Sequence, residues 1–158
     1  MLAPGAAVLD VAAGRGRQSL CLARGGHRVT AADVSAIGLQ RLVADARAQQ
    51  LSVETACVDL ADALPESLAG PWDAIVCVDF RAPELWPHLR ASLAPGGILL
   101  VSLATTDNLQ RHAHPSRRFL VTMDAGVQVV GALTPELVCA DWRESGRHEL
   151  WVRCVRPR

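Results

Sequence analysis

No charge of one sign dominates this 158-residue chain: 16 Lys and Arg balance 16 Asp and Glu, so net charge points to no polyanionic partner. The one dense basic cluster, His112 to Arg118, has the make-up of a solvated loop, and no nucleic-acid partner is expected. Long apolar runs are missing too. None approaches the roughly 18–20 residues that cross a bilayer, and no signal peptide opens the chain, so no membrane partner is expected either. Cys21, Cys57, Cys77, Cys139 and Cys154 form no CxxC pair, no His stands near them at a zinc-ligand spacing, and no metal site is expected. They read as reduced, buried thiols in a cytoplasmic protein. Tyrosine is absent, which leaves Phe80, Phe119 and four tryptophans as the large aromatics. Trp72 and Trp151 are expected to pack within strands, and Trp86 in the core rather than at a pocket. Internal repeats, low-complexity stretches and linkers are lacking as well. Half of the residues are hydrophobic and a fifth are charged, which suits one domain over 1–158.

What is present is an alternation of short apolar runs and amphipathic stretches. Ala7 to Ala12 is a strand stopping at glycines, Arg17 to Arg24 a helix closed by Gly25-Gly26, and Arg28 to Asp33 a second strand. Ser35 can cap a helix running to about Gln50 with Leu39, Leu42, Val43 and Ala46 on its apolar face. Val53 to Asp59 and Trp72 to Asp79 read as strands, Pro83 to Leu93 as a helix, and Ile98 to Leu103 as a strand after the Pro95-Gly96-Gly97 turn. Thr105 to Arg118 reads as a polar loop and Asp124 to Leu133 as a weaker helix. Leu137 to Trp142 and Leu150 to Val155 alternate as an antiparallel hairpin. Such a βαβ order predicts an α/β fold with a parallel sheet covered on both faces.

Asp10-Val11-Ala12-Ala13-Gly14-Arg15-Gly16 joins the first strand to the first helix, at the strand edge where open α/β sheets bind ligands. A ligand there needs close backbone approach, and Gly14 and Gly16 allow it. Asp33 ends the second strand, where a carboxylate can accept from two ribose hydroxyls. Helix capping is its alternative role, but Ser35 fills that position better. The loop and the acid together point to a nucleoside. A dinucleotide fingerprint wants glycine at position 19, which is Ser19, and no GKS or GKT is present, which excludes a P-loop. Arg15 and Arg17 leave a phosphate open on charge, whereas Asp10 suits a cationic ligand, an amino group or a sulfonium.

The stretch VLDVAAGRGRQSLCLARGGHRVTAADVSAIGL resembles the opening of class I methyltransferases that use S-adenosylmethionine (SAM), and is most similar to the small bacterial tellurite-resistance type. That group shows a DVACGRG-like loop, an RH-like pair, GHxV, and an acid followed by Ser. Here Ala13 replaces the loop cysteine and Gln18 the histidine. DFRAPELWPHLRASLAPGGILL resembles the same group's fourth-strand exit and LxPGGxLL turn. The resemblance implies a three-layer Rossmann-like fold with a mostly parallel seven-stranded sheet, order 3214576, ending in an antiparallel hairpin. It implies SAM as cofactor, leaving as S-adenosylhomocysteine (SAH). Asp10, Ala12, Gly14, Arg15 and Gly16 would surround its methionine part, Asp33 its ribose, Val34 its adenine face, and Asp59 and Leu60 the adenine edge. Val78 and Asp79 would face the methyl donor and the acceptor. Relatives usually carry a helical segment over the cofactor, most of which is lacking ahead of this first strand, and they show Asn-Tyr where Asp79-Phe80 stands.

The implied activity is methyl transfer to a small-molecule acceptor by in-line displacement. Arg81, after the fourth strand, is a candidate for an anionic acceptor, and its alternative is a solvated surface charge. His112 and His114, with Arg117 and Arg118, lie on the polar loop where acceptor pockets form, although exposed histidines are common there. Asp79, Arg81 and His112 are thus the candidates for acceptor positioning. Two other readings compete. A non-catalytic SAM-binding or scaffold domain would fit a site without its helical cover. A nicotinamide-dependent oxidoreductase is opposed by Ser19 and the terminal hairpin.

Overall fold

The computed structural model describes residues 2–61 and 63–158. The first strand, β1 (Ala7–Val11), is almost wholly buried, as its AVLDV sequence requires. It leads into α1 (Arg17–Arg24), which ends at Gly25 and at Gly26, whose φ of 80° reverses the chain. Then come β2 (Arg28–Asp33) and α2 (Ala36–Ala48), where the Ser35 hydroxyl accepts from the Gly38 amide at 3.1 Å and caps the helix. β3 (Glu54–Cys57) is shorter than its apolar run predicts and is exposed along most of its length. β4 (Trp72–Val78), α3 (Trp86–Ala91), β5 (Leu93–Ala104), α4 (Ala125–Val130), β6 (Thr134–Trp142) and β7 (His148–Val155) complete the order.

The seven strands form one sheet in the order β3-β2-β1-β4-β5-β7-β6, parallel except for β7, which runs antiparallel to both β5 and β6. That is the predicted architecture. Alternation along the strands feeds two layers. Leu9, Val11, Ile75, Leu99, Val101 and Leu150 point toward Leu85, Trp86, Leu89 and Val129 of the α3 and α4 side. Ala31 faces Leu20 of α1 and Leu39, Leu42 and Ala46 of α2. Helices thus cover both faces, and β1 and β4 flank the point where the strand order reverses.

Several expected boundaries shift for local reasons. The predicted helix from Pro83 divides into a 3-10 turn (Pro83–Leu85) and α3, which stops where Ser92 turns its hydroxyl back onto the His88 carbonyl at 2.8 Å. β5 starts earlier, at Leu93, and carries Pro95-Gly96-Gly97 as an irregularity opposite Trp72 to Ala74. A side chain at Gly97 would meet two carbonyl oxygens at 2.8 Å, so only glycine passes there. The predicted polar loop contains short 3-10 turns at Thr106–Gln110 and Arg117–Phe119. α4 is curtailed by Gly131 at φ 51°. Two burial expectations are corrected. Cys21 and Cys57 are exposed and Cys139 is half-buried, while Cys77 and Cys154 are buried. Trp86 is buried in the core as expected but also borders a cleft beside Arg81, and Trp151 is 39% exposed on the hairpin, its indole N–H donating to Glu149.

Candidate active site

The loop after β1 is held by backbone and by one carboxylate. The Ala13 amide donates to the Ala32 carbonyl at 3.0 Å, which ties the loop to the end of β2, and the Gly16 amide closes a turn on Ala13 at 2.8 Å. Asp33 reaches across from β2: its Oδ2 accepts from the Gly14 amide at 2.8 Å and its Oδ1 from the Ser35 amide at 2.7 Å. The two sequence features singled out for a nucleoside are therefore one hydrogen-bonded unit. Each carboxylate oxygen keeps a further lone pair for an incoming donor.

The loop's shape depends on left-handed residues. Ala12, Gly14 and Gly16 have φ of 54°, 57° and 77°. For Ala12 that conformation costs roughly 1–2 kcal/mol. A side chain on Gly14 would meet nothing within 4 Å, so the space above it is open. Gly16 serves packing instead, because a Cβ there would lie 2.2 Å from Leu42 of α2. Gly38, absent from the sequence-based site, closes the other side: a Cβ on it would stand 2.7 Å from the Gly14 carbonyl oxygen. The signal for it was a glycine in the first turn of a helix already ascribed to Ser35 capping.

Asp10 sits on the opposite side of β1 from Leu9 and Val11, facing α1, and is 2% exposed. The Ser19 hydroxyl donates to its Oδ2 at 2.5 Å. Burial pushes the Asp10 carboxyl up to about 6; hydrogen bonds from Ser19 oppose the rise and the neighbouring Asp33 charge adds to it. Ser19, read from sequence only as a missing glycine, is thus the residue that holds Asp10.

Beyond Asp33 the side chain of Val34 stands 67% exposed, an apolar surface next to the carboxylate. The Val58 amide donates to the Asp33 carbonyl at 3.0 Å and brings the exposed Asp59 alongside, its Oδ1 accepting from Ala61. Leu60 differs from its neighbours. Its side chain is buried in the main core, so only its backbone borders this surface. Arg15 is exposed on the loop.

At the end of β4, Val78 is half-buried and Asp79 turns outward at φ 59°. Arg147, from the turn between β6 and β7, donates to both Asp79 oxygens, at 3.0 and 2.5 Å. The Asp79 carboxylate in turn raises the Arg147 guanidinium above its ordinary range. Nothing in the sequence linked these two residues. Arg81 lines a separate cleft of about 220 Å³ with Arg117 and Thr122. His112 is not brought to it. Its Nε2 lies 2.9 Å from the Gly146 carbonyl oxygen, and it borders a second hollow with His114 and Arg147. Among the described residues no helix is long and apolar enough to cross a membrane.

Comparison with known proteins agrees with this fold. The family described as "Methyltransferase domain" matches residues 8–97, more than half of the chain. Searching curated protein sequences finds no match. Solved structures are similar in fold. TehB from Haemophilus influenzae superposes with a TM-score of 0.77 at 21% identity, over 99% of this chain and 59% of that one. The N-methyltransferase NodS from Bradyrhizobium japonicum WM9, solved with SAH, gives 0.76 at 19% identity, over 98% and 80%. A SAM-dependent methyltransferase from Methanosarcina mazei gives 0.79 at 15% identity, over 99% and 94%. The chain belongs to the methyltransferase-domain family, as a class I SAM-dependent methyltransferase.

Proposed function

We propose that this enzyme transfers the methyl group of SAM to a small-molecule acceptor, in the cytoplasm, at the edge of the sheet formed by the ends of β1, β2 and β4. The observation that carries the reading is the Asp33 carboxylate bridging the Gly14 and Ser35 amides beside the open space over Gly14. The residues present fit the cofactor. Asp33 would take the ribose hydroxyls on its remaining lone pairs, and exposed Val34 would pack on the adenine. Asp59, with the backbone of Leu60, would meet the adenine edge. Ala12, Gly14, Arg15 and Gly16 would border the methionine part, with Asp10 drawing its amino group by charge, and Val78 would lie at the methyl end.

When bound, the cofactor supplies an electrophilic methyl group on positively charged sulfur. The protein's own share is orientation. Arg147 holds both oxygens of Asp79 in place at the end of β4, and His112 stands on a separate hollow with its Nε2 against the Gly146 carbonyl. Rate enhancement then rests on holding the acceptor in line with the methyl group, an effect worth up to about 7–11 kcal/mol in well-oriented cases. Asp79 and Arg147 serve as a fixed wall, and Arg81 positions the acceptor.

Incubation of the full chain with methyl-labelled SAM and a library of small nucleophiles tests this. Label is expected in an acceptor with matching release of SAH, and Asp33→Ala is expected to lower it about tenfold or more at subsaturating SAM. Tight SAM binding with no turnover on any acceptor would favour a non-catalytic binding domain instead.

A further inference from the structure

We propose that the methyl acceptor is a small organic acid whose carboxylate is held between Arg81 and Arg117 in the cleft beyond the end of β4; this rests on the methyl transfer proposed above. Two segments far apart in sequence contribute these guanidiniums to the same cleft, Arg81 from the β4 exit and Arg117 from the 3-10 turn Arg117–Phe119. Other arginines are engaged elsewhere: Arg147 with Asp79, Arg153 with Glu136, Arg90 with the Gln128 carbonyl at 2.7 Å, Arg111 over the Trp142 ring at 3.7 Å and Arg118 over the Phe119 ring at 4.6 Å. Among the described residues the Arg81 and Arg117 guanidiniums have no hydrogen-bond or carboxylate partner. Guanidinium is the side-chain group best matched to a carboxylate, which it can hold through two parallel N–H bonds.

The other walls select which anion. Asp124 also lines the cleft, and the Thr122 hydroxyl donates to it and lowers its carboxyl below the ordinary range. Two guanidinium charges and one carboxylate leave one positive charge over, which balances a monoanion and leaves a phosphate dianion in excess. Trp86, Leu103 and Leu120 give the cleft apolar sides for the body of the acid. Its volume of about 220 Å³ lies below the roughly 300–1,000 Å³ of sites for drug-sized ligands, and a small molecule fits it. Arg81 follows Asp79 and Phe80 directly, so an acid anchored there by its carboxylate would present a second nucleophilic atom, a hydroxyl, amine or thiol, toward the end of β4; its bond to the methyl carbon would form as the sulfur–methyl bond breaks, with SAH leaving and the nucleophile's proton passing to solvent.

The test uses the full chain saturated with SAH. Calorimetric titrations compare benzoate with benzamide, salicylate with salicylamide, butanoate with butanamide, and inorganic phosphate. At least one acid is expected to bind about tenfold or more tightly than its amide, and more tightly than phosphate. Arg81→Gln and Arg117→Gln are each expected to weaken that acid about tenfold, while the affinity for SAH stays unchanged. Equal binding of acids and amides, no acid binding, tighter binding of phosphate, or unchanged acid affinity in both variants would overturn the assignment. If SAH fails to bind the unaltered chain, the methyl-transfer reading itself falls and this inference with it. Binding of SAH without discrimination for acids would remove the inference alone.

Discussion

Asp10 and Asp33 are neighbouring carboxylates that do different work because their surroundings differ. Asp10 is buried with one hydroxyl partner, and its carboxyl rises from 3.8 to about 6. The folded protein therefore holds this proton more tightly than the unfolded chain. Its contribution to stability is fully present below pH ~4 and is lost as pH rises toward 6, a difference of up to about 3 kcal/mol. Asp10→Asn keeps an acceptor for Ser19 and removes the titration. We predict that urea unfolding at pH 4 and pH 7 will show the variant gaining on the native protein at the higher pH by up to about 3 kcal/mol. The opposite slope holds for cofactor binding. A cationic amino group favours ionised Asp10, so SAM affinity should rise between pH 5 and 7 and be flat in Asp10→Asn. Asp33, in contrast, is fixed by two amides at the site's surface. Much of this was legible: a strand-end acid beside a glycine loop announces itself by position. The role of Ser19 was not, because a hydroxyl one helical turn into α1 shows its target only once α1 lies against β1.

At the scale of elements, the loop after β1 and the first turn of α2 form one packed unit. Replacing glycine by alanine in a helix ordinarily gains about 0.5–1 kcal/mol. At Gly38 the added Cβ would stand 2.7 Å from the Gly14 carbonyl oxygen, and overpacking of that kind costs roughly 1–3 kcal/mol. Gly38→Ala is therefore predicted to destabilise the fold by about 1 kcal/mol, the difference of these effects. It should also weaken SAM binding by shifting Gly14; thermal unfolding and calorimetry on the same sample check both. Elements with strong periodicity or clear punctuation, β1, α1, β2 and α2, could be placed from sequence because their glycines and Ser35 act locally. β5 and α3 were misjudged at their ends because those ends are set by partners elsewhere: Trp72 opposite Leu93, and the Ser92 hydroxyl on the His88 carbonyl. The exposure of Trp151 likewise depends on which sheet face lies uncovered, a property of no single strand.

For the molecule as a whole, the sheet order brings the ends of β1, β2 and β4 together and then returns the C-terminal hairpin to the same edge. Alternation of strands and helices made the parallel sheet predictable, and the resemblance supplied its order. Neither showed that Arg147, 68 residues from Asp79, would tie the hairpin turn to the β4 exit, since such a pairing follows only from the finished topology. Both partners are more than a third exposed, so their ion pair adds at most about 1 kcal/mol to stability. Its effect on the site is predicted to be larger. Arg147→Ala should leave the denaturation midpoint almost unchanged while lowering kcat/KM about tenfold or more, because it frees Asp79 and the hairpin turn. Equal losses in stability and turnover would contradict that role. The central claim is that the glycine loop and Asp33 grip the adenosine of SAM, and calorimetric titration of the full chain and of Asp33→Ala with SAM, SAH and NAD tests it most directly. SAM and SAH are expected to bind, NAD is not, and the variant is expected to lose about tenfold or more in affinity. Binding of NAD without SAM, or an unaltered SAM affinity in Asp33→Ala, would contradict it.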